Sequence, residues 1–328
     1  MPITSVTKDP QTCTMTVVAE FPVPVQRLWD AYADPRQLEK FWGPVGWPAT
    51  FARHDFAEGG RSDYYMTGPD GERSGGYWKF LAMDPGKSFE VQDGFATDDG
   101  AENTEMPSMR MVFTFESTDE GSRVSTVTHF PSVEVLEQLI GMGMQEGMTS
   151  AMSQMDDVIA DLTNYAASRE TAVQILSDTT IRITRVIRGT SEQVWRAHHE
   201  PDLMKRWFLG PDGWALTECQ VPLSVGDSYR YWWMPTTPDA EEQYAQGFGF
   251  EGELLESLPG VREVTTEHMV GADYDARNEL TLTPVEGGTL LSLVITYPTT
   301  AARDEALSTG MTSGMEAGYV RLEDEVLV

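Results

Sequence analysis

The chain has 328 residues, of which 40% are hydrophobic, a length that favours two domains, each with its own core. It carries 52 acidic against 23 basic residues, and the net charge of −29 repels nucleic-acid phosphates and anionic lipid surfaces, so neither is an expected partner. The sequence shows no basic-then-apolar leader and no apolar run of about 18 residues, which predicts a cytoplasmic protein without membrane insertion.

The second half of the chain repeats the first. The stretch PVQRLWDAYADPRQLEKFWGPVGW at 24–47 resembles TSEQVWRAHHEPDLMKRWFLGPDGW at 190–214, with Trp29 over Trp195. Two further pairs keep the same order: 113–131 over 280–298, and GMQEGM at 143–148 over GMTSGM at 310–315. A repeat of this length indicates two copies of a whole domain rather than a solenoid. We therefore predict a first domain at 1–166 and a second at 167–328.

The sequence of copy one predicts a strand, two short helices and then a series of strands. Alternating residues at 12–21 predict the opening strand, and apolar residues at helical spacing from Val25 predict the first helix. A second short helix, QLEKFW, runs into the breaker Gly43-Pro44. Strand-like runs separated by turns follow at 49–56, 60–67, 75–83, 87–94, 108–117 and 122–130.

Each copy is predicted to close with one long amphipathic helix. Apolar residues lie three or four apart from Leu136 through Ile159 to Leu162, and copy two has the matching stripe from Leu307 to Leu322. This order of elements predicts an α+β fold: two copies of a helix-grip unit, in which a curved antiparallel sheet surrounds a long C-terminal helix. A cavity is expected between the sheet and the helix.

Copy one carries a series of short motifs in a characteristic order: Leu28-Trp29, Asp34-Pro35, Phe41-Trp42-Gly43-Pro44, Gly59-Gly60, Gly68-Pro69-Asp70-Gly71 and Pro85-Gly86-Lys87. Their order and spacing resemble the START-like SRPBCC superfamily, and within it the heat-shock protein 90 ATPase activator-like branch, over nearly the whole chain, twice. The resemblance implies a helix-grip fold around a hydrophobic pocket for lipids, sterols or polyketides. In a few members it implies a cyclase, an aromatase or a hydroxylase subunit.

Two points limit what the resemblance implies. The family often has Gly followed by Trp in its last helix, whereas this chain has Gly147-Met148 and Gly314-Met315. The eukaryotic activators stimulate the chaperone largely through a separate domain, so chaperone activation is not carried over as a function.

Superposing the copies predicts which strand residues face the pocket, because a charge at one position in either copy marks the solvent face. The predicted lining in copy one is His54, Tyr64, Met66, Trp78, Phe80, Met111, Phe113 and Thr128, with Met144, Met148 and Met152 from the closing helix. In copy two it is Tyr229, Tyr231, Trp233, Phe250, His268 and Leu293, with Met311, Met315 and Tyr319 from the closing helix.

Each of these residue types also has a structural interpretation. An inward histidine is more often part of the core than a catalyst, and a methionine stripe can be core or an adaptable lining. Gly143 and Gly147 are interpreted as sites of close helix packing or as room for a ligand. The free cysteines, Cys13 and Cys219, are predicted to be buried apolar residues.

No cofactor site, metal site or catalytic group is predicted. The GPDG stretch at 68–71 is a turn without the features of a phosphate loop, and HHE at 198–200 lacks the second histidine of a zinc-protease helix. The predicted inward set contains no acidic pair for general acid–base chemistry.

Three functions remain open on this basis. The first is a binding protein with a pocket for a small hydrophobic or aromatic molecule in each copy, the second copy having the more aromatic wall. The second is an enzyme of the cyclase or hydrolase kind that uses His54, Tyr64 or His268. The third is a chaperone accessory, or a structural or stress-response module, whose pockets are filled by side chains and whose acidic surface binds the partner. The duplication also allows the two domains to pack as a pseudo-dimer.

Overall fold

A computed structural model describes residues 3–97, 100–155, 157–158, 170–210, 212–239 and 245–327. The chain divides into two compact units, 1–167 and 168–328. The predicted boundary between residues 166 and 167 lies outside the described residues. No helix in the described part of the chain is both long and apolar enough to cross a bilayer.

The described residues of the first domain form an eight-stranded antiparallel sheet, with helices packed on it, in the strand order β1-β2-β8-β7-β6-β5-β4-β3. Its strands are β1 Ile3–Asp9, β2 Thr14–Phe21, β3 Ala49–His54, β4 Arg61–Thr67, β5 Arg73–Asp84, β6 Ser88–Ala96, β7 Met109–Thr118 and β8 Gly121–His129. Its helices are α1 Val25–Ala33, α2 Pro35–Trp42, α3 Val133–Gly141 and α4 Met144–Ser153. The six strands predicted after the helices are all present, and the edge strand β1 was not predicted.

The second domain repeats this architecture, with the strand order β11-β12-β13-β14-β15-β16-β10-β9. Its strands are β9 Ala172–Ile175, β10 Thr180–Ile187, β11 Trp214–Gln220, β12 Ser228–Pro235, β13 Phe248–Leu258, β14 Arg262–Met269, β15 Asp275–Val285 and β16 Gly288–Thr296. Its helices are α5 Ser191–His199, α6 Pro201–Trp207, α7 Thr300–Ser308 and α8 Met311–Arg321, followed by a π-helical turn at Leu322–Val326. The predicted two-copy α+β fold is confirmed.

Local sequence signals explain where the short helices begin. The Asp34 side chain accepts a hydrogen bond from the Arg36 backbone N–H at the start of α2, and Pro35 occupies the first helical position. At the start of α5, Thr190 and Gln193 satisfy each other's backbone N–H groups in a capping box.

The closing helix predicted as continuous is interrupted at a glycine in both copies, and in the first copy also by a turn at Gln154. Gly143 has φ +92 and Gly310 has φ +76, and each is the residue before the second helix segment. Left-handed backbone favours glycine and cannot continue an α-helix. These glycines therefore set a bend rather than close packing, while Ile159 and Leu162 lie outside the described residues.

The core of the first domain consists of one large cluster rich in aromatic rings and a smaller cluster around Met15, Phe130 and Leu136. Trp29 on α1 meets Phe115 on β7 edge to face at 5.2 Å, and Phe89 stacks on Phe113 at 4.4 Å between neighbouring strands. Such ring pairs contribute about 0.5–1.5 kcal/mol each beyond the burial of their area. The large cluster holds α1 against the sheet.

The core of the second domain is divided into three smaller clusters. One surrounds Trp207 and Tyr319, a second surrounds Ile183 and Tyr297, and a third surrounds Trp233. Half-buried residues such as Leu293 contact more than one of them. Each of these clusters is smaller than the large aromatic cluster of the first domain.

The two cysteines are free, and they differ from the prediction in being only half-buried. Cys13 lies in the β1–β2 turn and has φ +51.

Candidate functional site

The candidate site is the inner face of each sheet, beneath the helices. In the first domain five predicted lining residues have almost no accessible surface: Trp78 0%, Thr128 0%, Phe113 1%, Met111 2% and Phe80 2%. A side chain without accessible surface has no space beside it for even a water molecule. These five residues belong to the core, so we leave them out of the proposed lining.

His54 is also a core residue. Its Nδ1 lies 2.8 Å from the Ser62 hydroxyl and its Nε2 lies 3.0 Å from the carbonyl oxygen of Tyr32 on α1. The ring stacks on Phe56 with its centroid 5.4 Å away. Since both ring nitrogens are engaged, the structure favours the structural interpretation of this histidine.

An inward carboxyl group, Asp93, was missed by the sequence analysis. Its Oδ1 accepts hydrogen bonds from the Trp78 indole at 2.9 Å and from the Tyr64 hydroxyl at 3.3 Å. Burial raises the pKa of Asp93 to about 7, although both hydrogen bonds oppose the rise. The alternation of Phe89, Val91 and Asp93 along β6 gives the signal that could have found it.

The predicted lining residues of the first domain that keep some accessible surface lie near the closing helices. Tyr64 and Met66 on β4 are half-buried, as are Met144 and Met148 on α4, while Met152 is buried.

The second domain exchanges large and small residues between neighbouring strands. In the first domain Ser62 on β4 pairs with Trp78 on β5, whereas in the second Tyr229 on β12 pairs with Gly252 on β13. A Cβ atom at Gly252 would lie only 2.0 Å from a backbone oxygen and 2.7 Å from the Tyr229 ring. The bulk that β5 provides in the first domain is thus provided by β12 in the second.

Further along the sheet the second domain has smaller or more polar inward residues. The cross-strand pair Phe89 and Phe113 of the first domain corresponds to the pair Glu263 and Leu280 in the second domain. The next inward pair, Val91 with Met111, becomes Thr265 with Asn278.

These changes leave accessible surface inside the second domain. Leu280 and Asn278 on β15 are half-buried, and so is Leu293 on β16. The Oδ1 atom of Asn278 is buried without a hydrogen-bond partner among the described residues. Inward side chains of the sheet that retain accessible surface under a helical cover indicate a hollow.

The remaining predicted lining residues of the second domain fall into two groups. Tyr229, Trp233 and Tyr319 are buried, and the Trp233 indole donates to the Phe208 carbonyl at 2.9 Å. The half-buried residues are Tyr231, Phe250, Leu293, Met311 and Met315.

The prediction that His268 faces inward is wrong. It pairs across the sheet with Glu251 on one side and Asp275 on the other, and its Nδ1 lies 2.9 Å from Asp275 Oδ1 on the outer face. The inward position belongs to its neighbour Glu267, which was also missed. The loop before β15 differs in length between the copies, and this difference displaced the alignment.

Glu267 occupies the same register position as Asp93, since Glu267 pairs with Ala276 where Asp93 pairs with Met109. Desolvation raises the pKa of Glu267 to about 7, and a hydrogen bond with Asn278 opposes the rise. Both copies therefore place a carboxyl group with a raised pKa at the same point of the inner face.

Other inward acids of the second domain have cationic partners. Arg185 on β10 points inward and forms ion pairs with Glu316 on α8 at 3.0 Å and with Glu323 at 3.3 Å. His199 Nε2 lies 2.6 Å from Glu263 Oε2; burial lowers the pKa of His199, but the interaction with Glu263 outweighs it and raises the pKa overall. These pairs attach the helices to the inner face of the sheet. Among the described residues, no group of three or more His, Cys, Asp or Glu side chains is placed to hold a metal ion.

Comparison with known proteins places this architecture in a family. The model of the family described as Activator of Hsp90 ATPase homolog 1-like protein matches the chain twice, at residues 22–160 and 188–326. The chain belongs to this family. It contains two family units in tandem, as the internal repeat predicted.

Solved structures resemble one family unit each. Protein Ms6760 from Mycobacterium smegmatis is 48% identical, with 48% of this chain and 96% of that chain covered and a TM-score of 0.45. A protein from Arthrobacter aurescens is 40% identical, with 48% and 92% covered and a TM-score of 0.47. A protein from Rhodobacter sphaeroides is 29% identical, with 47% and 95% covered and a TM-score of 0.43. A search of curated proteins gave no match.

Proposed function

We propose that the protein binds a small apolar or aromatic molecule, and that the main binding site is the interior of the second domain. The observation that carries this proposal is the accessible surface of Leu280, Asn278 and Leu293 on the inner face. In the first domain, Phe113 occupies the register position of Leu280, and Met111 occupies that of Asn278. Both are fully buried. The second domain therefore has space where the first has aromatic core.

The chemistry of this interior suits an apolar molecule with a polar group. Phe208, Phe250 and Met315 supply half-buried apolar surface, and Tyr231 combines an aromatic ring with a hydroxyl. Pockets of this kind bind through apolar area and gain orientation from a few polar groups. The Asn278 Oδ1, which has no hydrogen-bond partner in the described part of the chain, is one such group.

The structure gives less support to the other functions considered from the sequence. Catalysis by His54 or His268 is disfavoured, because the first is engaged in the core and the second lies on the outer face. Tyr64 donates to Asp93 within the first domain. A binding role requires neither histidine.

The test is ligand retention and dye binding by the full chain. Native mass spectrometry of freshly purified protein is expected to show a bound small molecule, and the stripped protein is expected to bind the neutral dye N-phenylnaphthylamine. Leu293→Trp fills the hollow and should abolish dye binding. Val294→Trp, the same substitution on the outer face of the same strand, is the matched control and should bind the dye as wild type does. The proposal is contradicted if Leu293→Trp still binds the dye. It is also contradicted if the wild-type protein carries no small molecule after purification and does not bind the dye.

A further inference from the structure

Glu267 is an inward acid of the second domain that has no cationic partner among the described residues. The groups that act on its carboxyl are the surrounding protein, which desolvates it, and the Asn278 side chain. By contrast, Glu316 is paired with Arg185 and Glu263 with His199. An ionised carboxylate in apolar surroundings is costly unless a counter-charge or several donors compensate it.

Four tyrosines lie close enough to this carboxyl for its charge to raise their pKa values in addition to the effect of burial. Its charge acts on two pairs of tyrosine hydroxyls, Tyr229 with Tyr231 from β12 and Tyr274 with Tyr297 from the ends of β15 and β16. The rings within the pairs lie 5.0 Å and 6.2 Å apart, centroid to centroid. Aromatic faces attract cations, and the attraction strengthens where water is excluded.

Glu267 also keeps accessible surface on the inner face of the sheet. Its side chain is only half-buried although the protein around it desolvates the carboxyl, which is the condition of a residue that lines an internal space. It lies on the inner face beside Asn278 of the neighbouring strand, whose Oδ1 has no partner in the described part of the chain. A ligand in the proposed site would therefore meet two acceptors and several aromatic rings at one end.

From these observations we propose that the ligand of the second domain is an apolar amine, whose protonated nitrogen pairs with Glu267 among the tyrosines while its apolar part contacts Phe250, Leu293 and Met315. This inference rests on the proposed function and adds the chemical class of the ligand. The site supplies one negative charge, acceptor oxygens and aromatic faces, and an ammonium group supplies the complementary charge and donors.

The first domain is the natural control. Asp93 at the same register position is shorter, is buried, and already accepts hydrogen bonds from Trp78 and Tyr64. The Trp78 indole occupies the space that a ligand nitrogen would need. We assign no amine site to the first domain.

The experiment compares three probes of one shape by calorimetry on the full chain at about pH 8: phenylethylamine, the neutral phenylethanol and the anionic phenylpropionate. Phenylethylamine should bind about tenfold more tightly than phenylethanol, which corresponds to about 1.4 kcal/mol for replacing a neutral hydrogen bond by a charge-assisted one. Glu267→Gln should bring the two affinities to within about twofold, because the amide keeps the shape and loses the charge. Asp93→Asn should keep the wild-type preference.

The pH dependence provides a second measurement. The pKa of Glu267 is about 7, so the preference for phenylethylamine should shrink at about pH 6, where the carboxyl is largely protonated. The titratable groups that face it are Tyr229, Tyr231, Tyr274, Tyr297 and, on its own strand, Glu263. The tyrosine pKa values are raised, so the hydroxyls remain neutral across this range.

The outcomes separate the two proposals. Equal affinity for phenylethylamine and phenylethanol, tighter binding of phenylpropionate, or a preference that survives Glu267→Gln overturns the amine inference while dye binding stands. Dye binding without any binding of phenylethylamine also overturns it. Failure of the dye and of all three probes to bind overturns the proposed function together with the inference.

Discussion

Replacing Asp93 by asparagine should change how the stability of the first domain depends on pH. The carboxyl is buried, and its pKa rises from the ordinary value of 3.8 to about 7 on folding. A rise of that size corresponds to about 4 kcal/mol at a pH where the group is ionised in both states. The asparagine side chain would retain an Oδ1 acceptor for the Trp78 indole and the Tyr64 hydroxyl without the charge.

The direction follows from proton binding. Between about pH 4 and pH 7 the folded state holds a proton on Asp93 that the unfolded state has lost, so the free energy of unfolding falls as pH rises through this window. Below the window both states are protonated and the penalty is absent, and above it the penalty is complete. The Asp93→Asn variant should therefore gain stability relative to wild type with rising pH, by up to about 4 kcal/mol near pH 8.

Hydrogen-exchange mass spectrometry in urea measures this effect, because peptides from the first domain report its unfolding separately from the second. The matched control is Asp84→Asn, since Asp84 is an exposed aspartate paired with Lys87 at 3.1 Å. Its effect should change little with pH. A difference between Asp93→Asn and wild type that stays constant from about pH 4 to pH 8 would refute the burial argument.

Three further predictions concern the bend, the helix attachment and the core. Gly143→Ala should destabilise the first domain by about 1 kcal/mol in urea unfolding because of its left-handed backbone, whereas Gly147→Ala inside the helix should be neutral or stabilising. Glu263→Gln should lower the pKa of His199, read from its imidazole NMR titration; an unchanged value would show that the 2.6 Å pair does not raise it. His54→Leu should cost about 1–3 kcal/mol in thermal unfolding through the buried polar partners it leaves unpaired, and an unaltered stability would contradict that role.

The fold was largely predictable because the sequence presents it twice. Glycine-rich turns divided the strands, and the period of two correctly turned Trp78 and Phe113 inward. The same parity cannot show whether an inward residue packs as core or lines a hollow, because that depends on the size of its cross-strand partner. The exchange of bulk between Tyr229 and Gly252 becomes visible only when the strands are paired.

The candidate site was less predictable, for two physical reasons. Asp93 follows Phe89 and Val91 in an apolar alternation, which marks it as inward, but a carboxyl group is not expected on an apolar face without a partner. Glu267 follows Glu263 and Thr265, so no apolar alternation marks it as inward. The orientation of His268 was predicted by aligning the copies across a loop whose length differs between them. A shift of one residue in that alignment turns every side chain to the opposite face of the strand.

The exchange of bulk between neighbouring strands also limits the routes by which one copy could evolve into the other. Tryptophan at position 252 would collide with the Thr266 carbonyl and the Tyr229 ring, while serine at position 229 alone would remove the ring that covers Gly252. A chain with only one of the two substitutions is expected to be less stable than a chain with both or with neither. The two substitutions must therefore occur together or after a compensating shift of the backbone. After the duplication, such a barrier would hold the halves in separate roles and oppose gene conversion between them.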